Sequence, residues 1–291
     1  GLSASPDDVP TKAAVIAQAQ VMVTRFNTIA QDLSNLDVDV LRNIDVDINR
    51  ANDLLDEIAE INSEIAKIEI QKPGGAHEFR DLRQQKLQEL ANYIDFETRD
   101  DGAGQIIIYA ADKAAGGGNE VPLVNRSTVA NKLRFNEASN EVFFSNHTTQ
   151  PLGSSPNETA FDLSGGSLHG YTQMRATTDP HGDPSSHAVG ALAKMREDLD
   201  TLAREMATEV SAIYDDASGN EFFFDDDDNP DAIDTANITA ANIRLYKGDP
   251  LGDFGAVIQP LNSQTLKATN TDNSGANEVA IELAELSEFV S

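Results

Sequence analysis

The densest set of side chains able to do chemistry is the acidic run Asp225, Asp226, Asp227 and Asp228, followed by Asn229 and Asp231. Oxygen donors in this number suit a hard cation, since calcium takes about six to eight oxygen ligands. The run lacks the ligand spacing of a calcium loop, however, and consecutive aspartates point in different directions, so a solvated turn is the simpler reading. The stretch DASGNEF at 216–222 is a weaker echo of such a loop. His181 and His187 bracket Asp183, but Pro184 interrupts any helix that could bring both imidazoles to one face. No G-x-S-x-G elbow accompanies the histidines, and AAGGGNE at 114–120 lacks the lysine and Ser/Thr of a phosphate loop. Nowhere does the sequence assemble a nucleophile, a base and an orienting group, so the expectation is a protein that is not an enzyme and needs no cofactor or metal. A secreted metal-dependent hydrolase stays open as a remote alternative.

Composition narrows the partners. The chain has 291 residues and a formal net charge of −28, which repels nucleic-acid phosphates and anionic membrane faces. Such an excess of acid suits an extracellular or saline setting, and a merely solvated surface would look the same. There is no cysteine, which excludes disulfides, thiolate metal sites and a cysteine nucleophile. No apolar run reaches the roughly 18 residues of a membrane span, and the opening GLSASPDDVPTK has no basic region leading into an apolar one. Export with a cleaved signal is therefore not expected.

The elements that must position any functional group are mostly helical. From Asp7 to Ser34, Val15, Ala19, Met22, Phe26, Ile29 and Leu33 recur by three and four and predict one amphipathic helix, capped by Asp7 or Asp8 with Pro10 in its first turn. A second helix is predicted through residue 71, with Leu41, Ile44, Ile48, Ala51, Leu55, Ile58 and Ile65 in heptad spacing. Asn62 falls in that seam, where it either fixes register or lies at the bundle edge. Leu54, Ile61 and Ile68 widen the apolar face toward a small bundle. KPGGA at 72–76 ends the helix, and the spacing of Phe79, Leu82, Arg83, Leu87, Leu90 and Ile94 predicts an antiparallel neighbour.

At Phe96 the period shortens to strand-like runs, QIIIYA, EVPLVN, KLRFNE and EVFFSN, separated by turn residues. Helix returns from about Val189 to Tyr214, with Leu192, Met195, Leu199, Leu202, Met206, Val210 and Ile213 as its expected core face. Short runs EFFF, ITAANIRLY and AVIQPL suggest a second small β element. NEVAIELAELSEFV begins a last helix. The expected class is α+β: an antiparallel α-helical bundle with an inserted β-rich outer domain and a second small β element. The expected divisions are 1–95 for the first part of the bundle, 96–164 for the β insertion, 165–218 for the returning helix, 219–274 for the small β element and 275–291 for the start of a C-terminal helix.

The order of these pieces resembles the flagellar hook-associated protein 1 family. Ile48–Asn49 and EIAEINSEI from Glu57 to Ile65 are similar to the two halves of that family's I-N…Q-I-A-x-L-N…I pattern. EFRDLRQQKLQEL from Glu78 to Leu90 resembles its D-L-R-D-Q-R-D-Q-L-L-D-E-L stretch without a gap, with departures at Leu82, Gln84, Lys86 and Gln88. GGSLHGYTQMR from Gly165 to Arg175 resembles its G-x-L-x-G-L-L-x-x-R return to helix. ANITAANIRLYKGDP and NSGANEVAIELAEL match two later segments. The loop TTDPHGDPSSHAV at 177–189 departs from the pattern.

The resemblance implies a flagellin-like rod domain and a structural role at the junction of hook and filament, outside the cell, reached by export through the flagellum without a cleaved signal peptide. It implies as partners like subunits in a junction ring, the hook protein, the second junction protein (hook-associated protein 3) and an export chaperone that binds a C-terminal segment. It implies neither nucleic acid nor membrane. Hook-associated protein 3 or a flagellin is the alternative within the same class, and an adhesin resting on the β insertion is a remote one. Subunit-interface candidates are Asn62, Arg80, Asp81, Arg83 and Arg175; the arginines either cover the bundle surface with their stems or pair with acidic faces of a neighbour.

Overall fold

A computed structural model describes residues 8–112, 119–145, 159–175, 190–214, 224–225, 237–246, 261–262, 266 and 279–282. Helix α1 runs without a break from Val9 to Gln71. The sequence predicts two helices here, and the difference has a local cause: nothing between Ser34 and Leu41 is glycine or proline, so no residue in the acidic stretch can end the hydrogen-bond ladder. Asp8 caps its start, with Oδ2 accepting from the Thr11 amide at 3.1 Å and from the Thr11 hydroxyl at 2.5 Å. Pro73 and Gly74, the latter at φ +76°, end it.

The chain divides into two compact units, one of residues 1–35 with 194–291 and one of residues 36–193. In the first, the opening part of α1 packs with helix α4 (Ala191–Tyr214), the two-residue pair β8 (Phe224–Asp225) and β9 (Arg244–Leu245), and the helical turn at Val279. Its core is lined by small residues: Ala19, Ala203, Ala207, Ala240 and Ala280 are buried beside Val23, Phe26 and Ile238. Met195 and Leu202, expected in the core, stand more than half exposed. Of the other expected positions Leu192 is buried, and Leu199, Met206, Val210 and Ile213 are partly buried against this core, with Ala203 and Ala207 fully buried among them.

In the second unit, helix α2 (His77–Leu90) follows the Pro/Gly turn and lies antiparallel to α1. Contacts between residues 69 and 80, 62 and 83, 57 and 86, and 50 and 89 descend one helix as they climb the other. Strands β1 (Glu97–Asp100), β2 (Ile106–Ala111), β3 (Glu120–Asn125) and β4 (Thr128–Val129) form an antiparallel sheet in that order. A second sheet has the order β5 (Lys132–Asn136), β6 (Glu141–Ser145), β7 (Thr159–Ala160). Leu123 bulges out of the β2–β3 register beside Pro122, and its carbonyl accepts from the amides of Ala130 and Asn131.

These strands do not have a core of their own. Ile106, Ile108, Leu123, Leu133, Val142 and Phe144 belong to one apolar cluster with Ile44, Leu55, Ile58, Leu90 and Ile94 of the helical segments. Helix α3 (Gly166–Arg175) closes the unit through buried Leu168. The fold is thus α+β, a helical domain carrying small antiparallel sheets.

Candidate functional site

The expected interface residues cluster around the α1–α2 seam and the return into α3. Asn62 sits in the last three turns of α1 on the stripe that faces α2 and β2, and it is fully buried. Its Nδ2 donates to the carbonyls of Ile106 at 3.0 Å and Arg126 at 2.7 Å, and its Oδ1 accepts from Arg83 at 2.8 Å. Arg83 of α2 is 8% exposed and also donates to the Gly104 carbonyl at 2.9 Å. Among the described residues no carboxylate lies within ion-pair distance of Arg83. Burial pushes its guanidinium below the usual arginine range, opposed by the charges of Asp100 and Asp101. Asn62 and the Nη1 of Arg83 are thus engaged within their own chain. A seam position on a helical wheel signals burial and says nothing of which chain supplies the cover.

Arg80 is half-buried and donates from Nη2 to Glu69 at 2.9 Å. Glu69 also accepts from the amides of Gly74 at 2.5 Å and Ala76 at 3.4 Å. Ala76, at the α2 N-cap position, has no side chain that can cap, so the last turn of α1 supplies the carboxylate for it. The Gly74 amide, then that of Ala76, and the charges of Arg80 and His77 hold the Glu69 carboxyl below its usual value against the opposing effect of burial.

Further along the seam, beyond Asn62 and Arg83, Arg50, Glu57, Lys86 and Glu89 form a network. Lys86 Nζ lies 2.5 Å from Glu57, and Arg50 donates from Nε to Glu89 at 2.9 Å and reaches Glu57 at 3.3 Å. Lys86 is one of the positions at which α2 departs from the family pattern, and it supplies the cation that holds Glu57 below its usual value. Asp81 is exposed.

Arg175, near the end of α3, is also engaged within the chain. Its Nε donates to Asp37 at 2.7 Å and its Nη1 to Asn140 at 3.1 Å, while Asn140 donates to the Thr172 carbonyl at 2.8 Å. At the other end of α3, Gly166 has φ +80°, and a Cβ there would come within 2.3 Å of the Tyr93 carbonyl oxygen. Only glycine fits. That approach lets the Ser167 and Leu168 amides donate to the carbonyls of Asn92 and Tyr93 beyond α2.

Sequence reasoning missed the partners that make these ties: Asp37, Glu69 and Asn140 belong to no motif, and only their positions opposite Arg175, the Gly74 and Ala76 amides and the Thr172 carbonyl give them roles. Of the acidic run, Asp225 accepts from Arg244 at 2.9 Å. Asp226 to Asp231, the stretch 216–222 and His181, Asp183 and His187 lie outside the described residues. No helix of the described residues is long and apolar enough to cross a membrane.

The seam, the Gly166 return and the network tie α1, α2 and α3 to one another and to the strands within the second unit. No curated protein matches the chain. The family model for the flagellar hook-associated protein FlgK helical domain matches residues 1–223. The chain belongs to the FlgK family of flagellar hook-associated proteins, which form the junction between hook and filament.

Proposed function

We propose that this chain works as a mechanical adaptor with no catalytic activity, reaching the extracellular part of the flagellum by export without a cleaved signal peptide. Its helical portions pack against like subunits in a ring, with hook protein on one side and the second junction protein (hook-associated protein 3) on the other, while an export chaperone holds a C-terminal segment. The sheets of the second unit face outward. The observation that carries this reading is the long α1 held along α2 by a continuous polar seam, an arrangement that resists bending and leaves other surfaces for neighbours. Asp81, exposed on α2, and the outer edge of the Arg80 guanidinium are the interface candidates accessible to another subunit. Arg175 contributes by fixing α3 on Asp37.

The decisive test is complementation. The full-length parent gene is expressed in a matched flagellated host that lacks its own junction protein. Filaments on the hooks are the expected result. A protein that is exported and stable yet leaves the hooks bare overturns the junction role of this chain.

A further inference from the structure

Two asparagines of α1 make the same unusual contact with two different sheets. Asn52 donates from Nδ2 to the Leu133 carbonyl at 3.0 Å, and its Oδ1 accepts from the Leu133 amide at 2.8 Å. Asn62 repeats the exchange with Ile106, at 3.0 Å to the carbonyl and 3.4 Å from the amide. A carboxamide presents one donor and one acceptor side by side, which is what a residue of a neighbouring strand presents. Each asparagine therefore stands in for a strand.

Leu133 lies in β5, the edge of the three-stranded sheet, and pairs with Phe144 on its other side. Ile106 opens β2 of the four-stranded sheet. The two asparagines are ten residues apart, which is about 15 Å along a helix axis and about 80° around it. The apolar cluster shared by α1 and the strands supplies adhesion without direction, because side-chain packing of this kind tolerates small rotations. A two-point exchange of hydrogen bonds does not.

We infer that Asn52 and Asn62 are orientation clamps: each fixes the angle at which one sheet leaves α1, and together they set the aim of the whole β region. The clamp at Asn62 is further stiffened by Arg83, which donates to the same Oδ1. The clamps are independent of the assembly reading, since all four partners lie in one chain.

The absence of cysteine allows paired spin labels without background thiols. One label is placed at Glu60 of α1 and the second at either Ser139, in the β5–β6 turn, or Thr98, in β1; all three positions are exposed. Distance distributions by pulsed dipolar spectroscopy are compared for the parent chain, Asn52→Asp and Asn62→Asp. The substitution keeps size and turns the donor into an acceptor facing a carbonyl. Asn52→Asp is expected to broaden the 60–139 distribution at least twofold and leave 60–98 narrow. Asn62→Asp is expected to do the reverse. Distributions that stay narrow in both variants overturn the inference, as does equal broadening of both pairs by either one, which marks general loosening. If the buried Asn62→Asp fails to fold by circular dichroism, the half-buried Asn52→Asp decides alone by the same two distances.

Discussion

The two units use opposite means to hold the same helix. Where α1 meets α2, the contact is a polar seam of Asn62, Arg83, Glu57, Lys86, Arg50 and Glu89 flanked by large aliphatic side chains. Where the opening part of α1 meets α4, the contact is apolar, with Ala19, Ala203 and Ala207 buried beside Val23 and Phe26, and polar ties run mainly to loops, as when Asn27 donates to the Ala240, Ala241 and Ile243 carbonyls. Polar seams specify register because each partner leaves an unsatisfied group if it slips. Alanine faces specify closeness, and many registers satisfy them nearly as well. The first unit therefore depends on volume, the second on both volume and pairing.

Substitutions can break that contrast in order of size. Ile58→Ala, at a fully buried position of the second unit, is expected to cost about 2–5 kcal/mol by urea unfolding. Ala207→Leu overfills the alanine face of the first unit and should cost about 1–3 kcal/mol in the same measurement. If Ala207→Leu is neutral, closeness is not what that face requires. Arg83→Met keeps the volume of the seam but removes its donor to the Asn62 and Gly104 oxygens, at an expected cost of about 1–3 kcal/mol.

A subtler probe is acid. The Glu69 carboxyl is held lower in the folded chain than in the unfolded one, so its stabilisation is fully present above the unfolded value and disappears as pH falls from roughly 4.3 through the folded value. Glu57 is shifted in the same direction by Lys86 and adds to the same slope. Glu69→Gln is expected to flatten the fall in urea midpoint between neutral and acid pH without abolishing it; an unchanged slope means the carboxylate contributes nothing as a cap. Last, Leu202→Ser replaces a side chain more than half exposed and should move the midpoint by no more than about 0.5 kcal/mol.

The sequence makes some of this legible and conceals the rest for identifiable reasons. Heptad spacing from Leu41 to Ile65, the KPGGA turn and four of the strand runs announce themselves through period and breakers, and Asp8 caps where a cap is expected. The charged strand β1 and the two-residue strands β4 and β7 carry no period to detect; they exist because β2, β3 and β6 offer them an edge. The face of α4 is legible in Leu192, Leu199, Met206, Val210 and Ile213, while the burial of Ala203 and Ala207 and the exposure of Met195 and Leu202 are not. Asn62 is visible as an anomaly in an apolar seam, but Asn52 is not, because an asparagine at the margin of a helix is ordinary until a strand edge lies opposite it. Long-range pairing of a side chain with a backbone leaves no local trace.

The place where the chain leaves the helices for the sheets is also the place where it comes back. Asp95 accepts from the Ser164 amide at 3.1 Å, from the Ser164 hydroxyl at 2.6 Å and from the Gly165 amide at 3.3 Å, just before Gly166 settles against Tyr93. Departure and return thus share one socket, so the chain enters and leaves the sheets side by side, and a change of length between them need not move the ends that α2 and α3 hold together.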